Sequence, residues 1–91
     1  MVTKVNIPVA LQSYTGGKPE VNLSGKNVRE LLKDLVNKTP ELRQKIYNEA
    51  GKIRRFINIY VNDEDIQTLK QENTLIKKGH KVLIIFAIAG G

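Results

Sequence analysis

Residues 56–65 have the sequence FINIYVNDED and predict a strand that ends in a turn. The first six residues combine β-branched and aromatic side chains, a composition typical of strands. Residues 62–65 are rich in Asn and Asp, which favour turns because their side chains bond to nearby backbone groups. The three consecutive acidic residues also raise the possibility of a cation site, but they lack the spaced ligands and the glycine of a calcium loop. We interpret the segment as a hairpin turn and expect a short strand from Ile66.

The N-terminal region predicts a β-hairpin. Apolar residues alternate with other types at Val5, Ile7, Val9 and Leu11. This period of two is typical of a strand with one buried face. Pro8 conflicts with it, because proline cannot donate to a strand ladder and so suggests a bulge. Residues 15–18, TGGK, break the chain, and the alternation resumes at Val21 and Leu23.

A helix is predicted between the hairpin and residue 56. Asn27 and Glu30 have the spacing of a capping box. Apolar residues at helical spacing follow, namely Val28, Leu31, Leu32, Leu35 and Val36. The helix should end near Lys38, where Thr39 and Pro40 can begin a second, short helix. The short helix carries Leu42, Ile46 and Tyr47 and is expected to end near Gly51.

The last predicted strand covers residues 81–87 and is apolar on both faces. Residues 78–80, KGH, form the turn before it, and the sequence continues as IAGG at residues 88–91. With a single long helix, the expected architecture is α+β. It consists of a mixed sheet of four to five strands covered on one face by the main helix and the short helix.

Composition sets limits on size and chemistry. The 91 residues, 41% of them apolar, predict one domain over residues 1–91 with one core. Cysteine is absent and His80 is the single histidine, which excludes disulfides, thiol catalysis and cysteine-rich metal sites. The first eleven residues lack the apolar block of a signal peptide, and no stretch is long enough to span a bilayer. We expect a soluble, cytoplasmic protein without a membrane partner.

The formal net charge of +6 allows nucleic acid or an acidic protein as a partner. Proteins that bind single-stranded nucleic acid interleave basic residues with aromatic side chains, on which the bases stack. Aromatic residues make up only 5% of this chain. We therefore interpret the charge as a solvated basic surface and do not expect nucleic acid binding.

The order of elements and four short motifs point to a known family. The motifs are Ile7-Pro8, Thr15-Gly16-Gly17, residues 57–65 and Ala89-Gly90-Gly91. The order of a hairpin, a crossover helix and a last strand running into Gly-Gly resembles the β-grasp fold of ubiquitin. Together with the motifs it is similar to the ThiS/MoaD family of sulfur carriers, and most similar to the CysO-type branch that supplies sulfur for cysteine synthesis. The resemblance covers essentially the whole chain.

The resemblance implies chemistry at the C-terminal carboxylate. In such carriers the carboxylate, here that of Gly91, attacks the α-phosphate of ATP in an activating enzyme that resembles ubiquitin-activating enzymes. A sulfur donor then converts the acyl-adenylate to a thiocarboxylate. Gly90 and Gly91 suit this reaction because a tail without Cβ atoms fits a narrow channel. The resemblance thus implies a protein co-substrate and not an enzyme, with no bound cofactor or metal, and a flexible tail over residues 88–91.

The acceptor of the sulfur stays open at this point. The family implies a cysteine synthase-like enzyme with a metal-dependent desamidase, the large subunit of molybdopterin synthase, or the thiamine pathway. A ubiquitin-like modifier joined to lysines of other proteins is a further alternative, since it uses the same activated tail.

Strand parity predicts a partner-binding surface. Asn58 is the one polar residue of its strand, so its face, with Phe56 and Tyr60, should point away from the helix. In the last strand, the resemblance places Val82, Ile84 and Phe86 in the core and leaves Leu83 and Ile85 on the open face. Exposed apolar patches on small domains mark partner sites. The predicted partner-binding residues are Phe56, Tyr60, Leu83, Ile85, Ile88 and Ala89. The alternative is that a loop or the short helix covers this face.

Overall fold

The structure of the protein is a computed structural model that describes residues 2–86. Five strands form one sheet: β1 (Val2–Asn6), β2 (Glu20–Ser24), β3 (Ile57–Val61), β4 (Glu64–Asp65) and β5 (Val82–Phe86). Their order across the sheet is β2-β1-β5-β3-β4. β5 pairs in parallel with β1 and antiparallel with β3, so the sheet is mixed as predicted.

Two α-helices and four 3₁₀ segments complete the fold of the part of the chain that the structure describes. The helices are α1 (Val28–Lys38) and α2 (Arg43–Ile46). The 3₁₀ segments are Val9–Thr15, Pro40–Leu42, Ile66–Thr68 and Gln71–Asn73. Among residues 2–86 no helix has the length and apolar character needed to cross a membrane.

The core lies between α1 and one face of the sheet. All five apolar residues of the predicted helical stripe are buried. All of them except Val36 belong to one buried cluster with Val5 of β1, Ile59 of β3 and Ile84 of β5. These three strand residues are each at most 1% exposed. Full burial of one such side chain stabilises the fold by about 1.5–3 kcal/mol. This packing fixes which face of β3 and β5 is left for solvent or a partner.

The start of α1 confirms the predicted cap. The Asn27 Oδ1 atom accepts a hydrogen bond of 2.9 Å from the Glu30 N–H, and a Glu30 carboxylate oxygen accepts one of 2.9 Å from the Lys26 N–H. Gly25 is needed just before the cap, because a Cβ there would lie 2.6 Å from the Leu31 nitrogen. The Val28 N–H donates to the Thr74 carbonyl at 3.0 Å, which ties the 3₁₀ segment Gln71–Asn73 to the helix start.

The first strand is shorter than predicted. It ends at Asn6 instead of continuing to Leu11, and Pro8 serves as the N-cap of the 3₁₀ segment Val9–Thr15. Proline has no N–H for the ladder, and its fixed φ suits the start of a helical turn. Val9 is consequently 83% exposed, whereas Leu11 is buried from the 3₁₀ segment. The hairpin itself is confirmed, since β1 and β2 pair antiparallel.

The short helix and the fourth strand also have different bounds from those predicted. α2 ends at Ile46, not near Gly51, because Tyr47 is extended and forms a β-bridge with Ile53. The fourth strand is Glu64–Asp65 and not a strand from Ile66. Only Asn62 and Asp63 form the turn, with positive φ angles of 52° and 74°. Two such residues produce the tight type I′ hairpin that suits the twist of the flanking strands.

Candidate functional site

The pairing of β3 with β5 builds the open face of the sheet. Asn58 lies opposite Ile85 and Tyr60 lies opposite Leu83. Successive side chains of a strand point to opposite faces, so these four residues share one face. The alternate residues of β3 are buried against the helices, namely Ile57, Ile59 and Val61. The predicted faces of both strands are confirmed for residues 57–61 and 82–86.

Tyr60, Leu83 and Ile85 form a small apolar surface, which we call the open-face patch. Leu83 is 38% exposed, while Tyr60 and Ile85 are half-buried. Polar residues flank the patch on both sides, because Asn6 of β1 pairs with Leu83 and Asp65 of β4 pairs with Tyr60. The exposure of Leu83 argues against the alternative in which a loop or the short helix covers this face. The patch can bind a protein surface but contains no acid–base pair and no activated nucleophile.

Phe56 does not belong to the open-face patch, and its predicted placement there is wrong. The Ile57 N–H donates to the Arg54 carbonyl at 2.9 Å, so the chain turns at Phe56 instead of extending β3 backwards. The Phe56 ring lies 5.0 Å from the Phe86 ring, measured between centroids, and both rings pack against the buried core. Strand parity applies only within an extended strand, and β3 begins one residue later.

The predicted tail lies outside the described residues. Phe86 is the last described residue of β5, the central strand of the sheet, and it is paired with Ile57 at the beginning of β3. Ile88, Ala89, Gly90 and Gly91 follow in sequence. Among residues 2–86 no group of acidic residues and histidine is arranged to hold a metal ion.

A groove on the helix side of the sheet was not predicted. Its volume is about 610 Å³. α1, the start of α2, the segment from Tyr47 to Gly51 and the 3₁₀ segment Gln71–Asn73 form its walls. Ten residues line it: Arg29, Lys33, Val36, Asn37, Arg43, Tyr47, Asn48, Glu49, Gly51 and Glu72. The available signal was the spacing of Arg29 and Lys33, which places two positive charges on one flank of α1.

The fold and the open face define a class of protein. The mixed five-stranded sheet with α1 across one face is the ubiquitin-like β-grasp fold, and the predicted fold class is confirmed. Residues 5–91 match the model of the ThiS family, and the chain belongs to this family.

Known relatives cover the whole chain. Sulfur carrier protein CysO of Mycobacterium tuberculosis is 37% identical over 93 residues, which cover 100% of both chains. The crystal structure of the BexX/CysO complex from Amycolatopsis orientalis includes a chain that is 35% identical, with a TM-score of 0.88 and coverage of 98% of this chain and 99% of that one.

A solved structure from an archaeon is also similar. Small archaeal modifier protein 1 from Methanosarcina acetivorans is 28% identical, with a TM-score of 0.86 and coverage of 100% of this chain and 99% of that one. The predicted resemblance to ThiS/MoaD proteins and to the CysO-type branch is therefore confirmed.

Proposed function

We propose that this chain is a sulfur carrier whose C-terminal Gly91 is converted to a thiocarboxylate. The observation that carries the proposal is the 37% identity to a sulfur carrier protein over the full length of both chains. Membership of the ThiS family and the Gly90-Gly91 pair support it. The chain acts as a protein co-substrate, and an activating enzyme performs the catalysis.

The chemistry has two steps. A Gly91 carboxylate oxygen attacks the α-phosphate of ATP, so a C–O–P linkage forms and pyrophosphate leaves. A sulfide-level donor then attacks the carbonyl carbon, a C–S bond forms and AMP leaves. A C-terminal carboxylate is ionised at neutral pH and needs no base within the carrier. ATP is thus a substrate of the activating enzyme, and the carrier binds no cofactor.

The open-face patch is proposed to bind the activating enzyme. Its apolar side chains are surrounded by polar neighbours, an arrangement typical of the centre and rim of a protein interface. The related CysO structure from Amycolatopsis orientalis is a complex with BexX, which supports protein binding as a property of this fold. Ile88 and Ala89 are proposed to extend the contact, since they connect β5 to the reactive glycines.

The sulfur is proposed to serve cysteine biosynthesis. CysO-type relatives support this branch over the molybdopterin synthase small subunit and the thiamine carrier. The partners would then be a ubiquitin-activating-enzyme-like adenylyltransferase, a cysteine synthase-like acceptor and a metal-dependent desamidase.

A second candidate function is conjugation to lysines of other proteins. The full-length similarity to small archaeal modifier protein 1 favours it. Both functions require an activated Gly91 and differ in the nucleophile that attacks the adenylate, sulfide in one case and a lysine amine in the other.

Changing the length of the tail tests the carboxylate mechanism. One residue added after Gly91 turns the nucleophilic carboxylate into an amide, so we expect no adenylate with the cognate activating enzyme and ATP. Deletion of Gly91 should also stop sulfur transfer, because the reactive carbon would lie about 3.5 Å short of its place. The measurement is ATP-dependent pyrophosphate release, with circular dichroism as a control for folding. Adenylation of an extended, untrimmed chain would contradict the mechanism.

A further inference from the structure

The groove on the helix side has an arrangement of charge that its own fold does not explain. Arg29 and Lys33 are four residues apart on α1, so their positive charges are neighbours on one flank of the helix. A like-charge pair at this spacing destabilises a helix. Arg43 at the start of α2 adds a third positive charge to the same groove.

The acidic residues of α1 do not neutralise these charges. Glu30 is used at the helix start, where it accepts the Lys26 N–H, and Asp34 accepts the Ser24 N–H at 2.9 Å. Asp34 also forms an ion pair of 3.2 Å with Lys38. No described carboxylate forms an ion pair with Arg29, Lys33 or Arg43. The two flanks of α1 therefore differ, because one is internally paired and the other presents free cations.

Val36 and Tyr47 line the groove together with the charged residues. Val36 is buried and Tyr47 is half-buried there. Burial raises the pKa of Tyr47 above its ordinary value of 10.0, and Glu72 acts in the same direction, while Arg29 and Arg43 act to lower it. Glu72, Arg29 and Arg43 are thus near enough to influence the Tyr47 hydroxyl, which is a hydrogen-bond donor at neutral pH.

The wall formed by residues 48–52 is held in one conformation by its own hydrogen bonds. The Asn48 Oδ1 atom accepts from the Ala50 N–H at 2.9 Å and from the Lys52 N–H at 3.0 Å. The Asn48 N–H donates to the Lys52 carbonyl at 2.8 Å. Gly51 adopts a φ of 77°, a left-handed conformation that glycine accepts without cost. A groove built in advance loses little entropy when it binds a ligand.

We infer that this groove is a second docking site, which binds a carboxylate-rich segment of a partner protein. Its three cations, the Tyr47 hydroxyl and the Asn37 amide supply donors for carboxylates and for peptide carbonyls. Glu49 and Glu72 also line the groove, so a compact polyanion such as phosphate would meet repulsion within the same volume. An extended segment can place its carboxylates against the cations and its backbone beside the two glutamates.

The groove and the open-face patch lie on opposite sides of the sheet. α1 covers one face, and the patch lies on the other. A partner on the patch would leave the groove free, so both sites can be occupied together. This inference does not depend on the proposed sulfur chemistry.

An NMR titration of the full chain tests the inference. The probe is an acetylated pentaglutamate peptide at low ionic strength, where screening of exposed charges is weak. We expect shifts of the amides of Lys33, Asn37 and Tyr47, and none there with pentalysine. The double substitution Arg29→Gln and Arg43→Gln should weaken peptide binding by about fivefold, since exposed ion pairs contribute modestly.

The matched control removes two positive charges elsewhere. Lys18→Gln with Lys78→Gln leaves the groove intact and changes the net charge by the same amount. Binding weakened equally by the control pair would overturn the inference, because it would show general attraction to a basic protein. The inference would also be overturned if the peptide shifted no amide in the groove. It would be overturned as well if phosphate shifted the same amides at a lower concentration than the peptide. Thermal melts of both double variants establish that each is folded.

Discussion

The two halves of the open sheet face differ in chemistry although they share one pleated surface. Apart from Val2 at the start of β1, which is 65% exposed, the outward residues of β1 and β2 are polar and exposed: Lys4, Asn6, Glu20, Asn22 and Ser24. On β5 and β3 the corresponding surface is the open-face patch of Tyr60, Leu83 and Ile85. Hydration alone accounts for the polar half. The apolar half exposes Leu83 to water, and partner binding gives it a physical reason.

A charge placed in the apolar half should produce the largest effect on binding. Ile85→Asp puts a carboxylate in the centre of the open-face patch, where a partner would have to desolvate it. We expect affinity for the cognate activating enzyme to fall by about 2 kcal/mol or more, the size typical of a central interface contact. Isothermal titration calorimetry with the purified enzyme measures this change.

Two control variants make the comparison between the halves sharper. Asn22→Asp introduces the same charge in the polar half and should leave affinity nearly unchanged. Ile84→Asp, at a residue that is 1% exposed and faces the core, should prevent stable folding. A melting temperature that collapses for Ile85→Asp, with unchanged affinity of the folded fraction, would show that the faces of β5 have been assigned incorrectly.

The stability of the edge strand β2, which belongs to the polar half, should depend on pH through its hydrogen bond to Asp34 of α1. The hydrogen bond from the Ser24 N–H lowers the pKa of Asp34 below its ordinary value of 3.8; burial opposes this shift, and Lys38 reinforces it. Because the pKa of Asp34 is lower in the folded state than in the unfolded state, ionised Asp34 stabilises the fold fully at pH values above the pKa of the unfolded state. This stabilisation is lost as the pH falls through the pKa of the folded state. We expect a small loss of stability in this acidic range.

Asp34→Asn removes this titration and serves as the comparison. Urea denaturation at neutral and acidic pH should give the variant a flatter pH dependence than the parent chain. Equal slopes in the two proteins would contradict the role of Asp34 as an anchor between α1 and β2. The open-face patch should be unaffected, so activating-enzyme affinity at neutral pH should stay the same.

Local signals predicted the parts of the fold that local interactions decide. The apolar spacing of α1 and its Asn27 cap identified the helix, and the single polar Asn58 identified the faces of β3. The parallel pairing of β1 with β5 joins residues far apart in sequence. The sequence predicted a mixed sheet but did not identify which strands pair in parallel. Pro8 correctly indicated an interruption of the first predicted strand, which ends before it at Asn6.

The errors arose where the backbone changes direction. Phe56 lies one residue before β3, and Tyr47 lies one residue after α2. The backbone turns at both places, which moves each side chain to another surface. The groove was missed because its walls come from α1, from residues 43–51 and from the 3₁₀ segment Gln71–Asn73, which only the tertiary structure brings together. Arg29 and Lys33 carried a signal on α1, but neither Arg43 nor Glu72 is at a spacing that sequence alone connects to them.

The intact mass of the chain purified from its own cells tests the central claim most directly. A sulfur carrier predicts a fraction heavier than the unmodified chain by the difference between one sulfur and one oxygen atom. Fragmentation should place this difference at Gly91, and the Gly91 deletion should abolish it. The account would be contradicted if the chain were found only unmodified or linked through Gly91 to lysines of other proteins. This outcome must also hold when its activating enzyme is present with ATP and a sulfur donor.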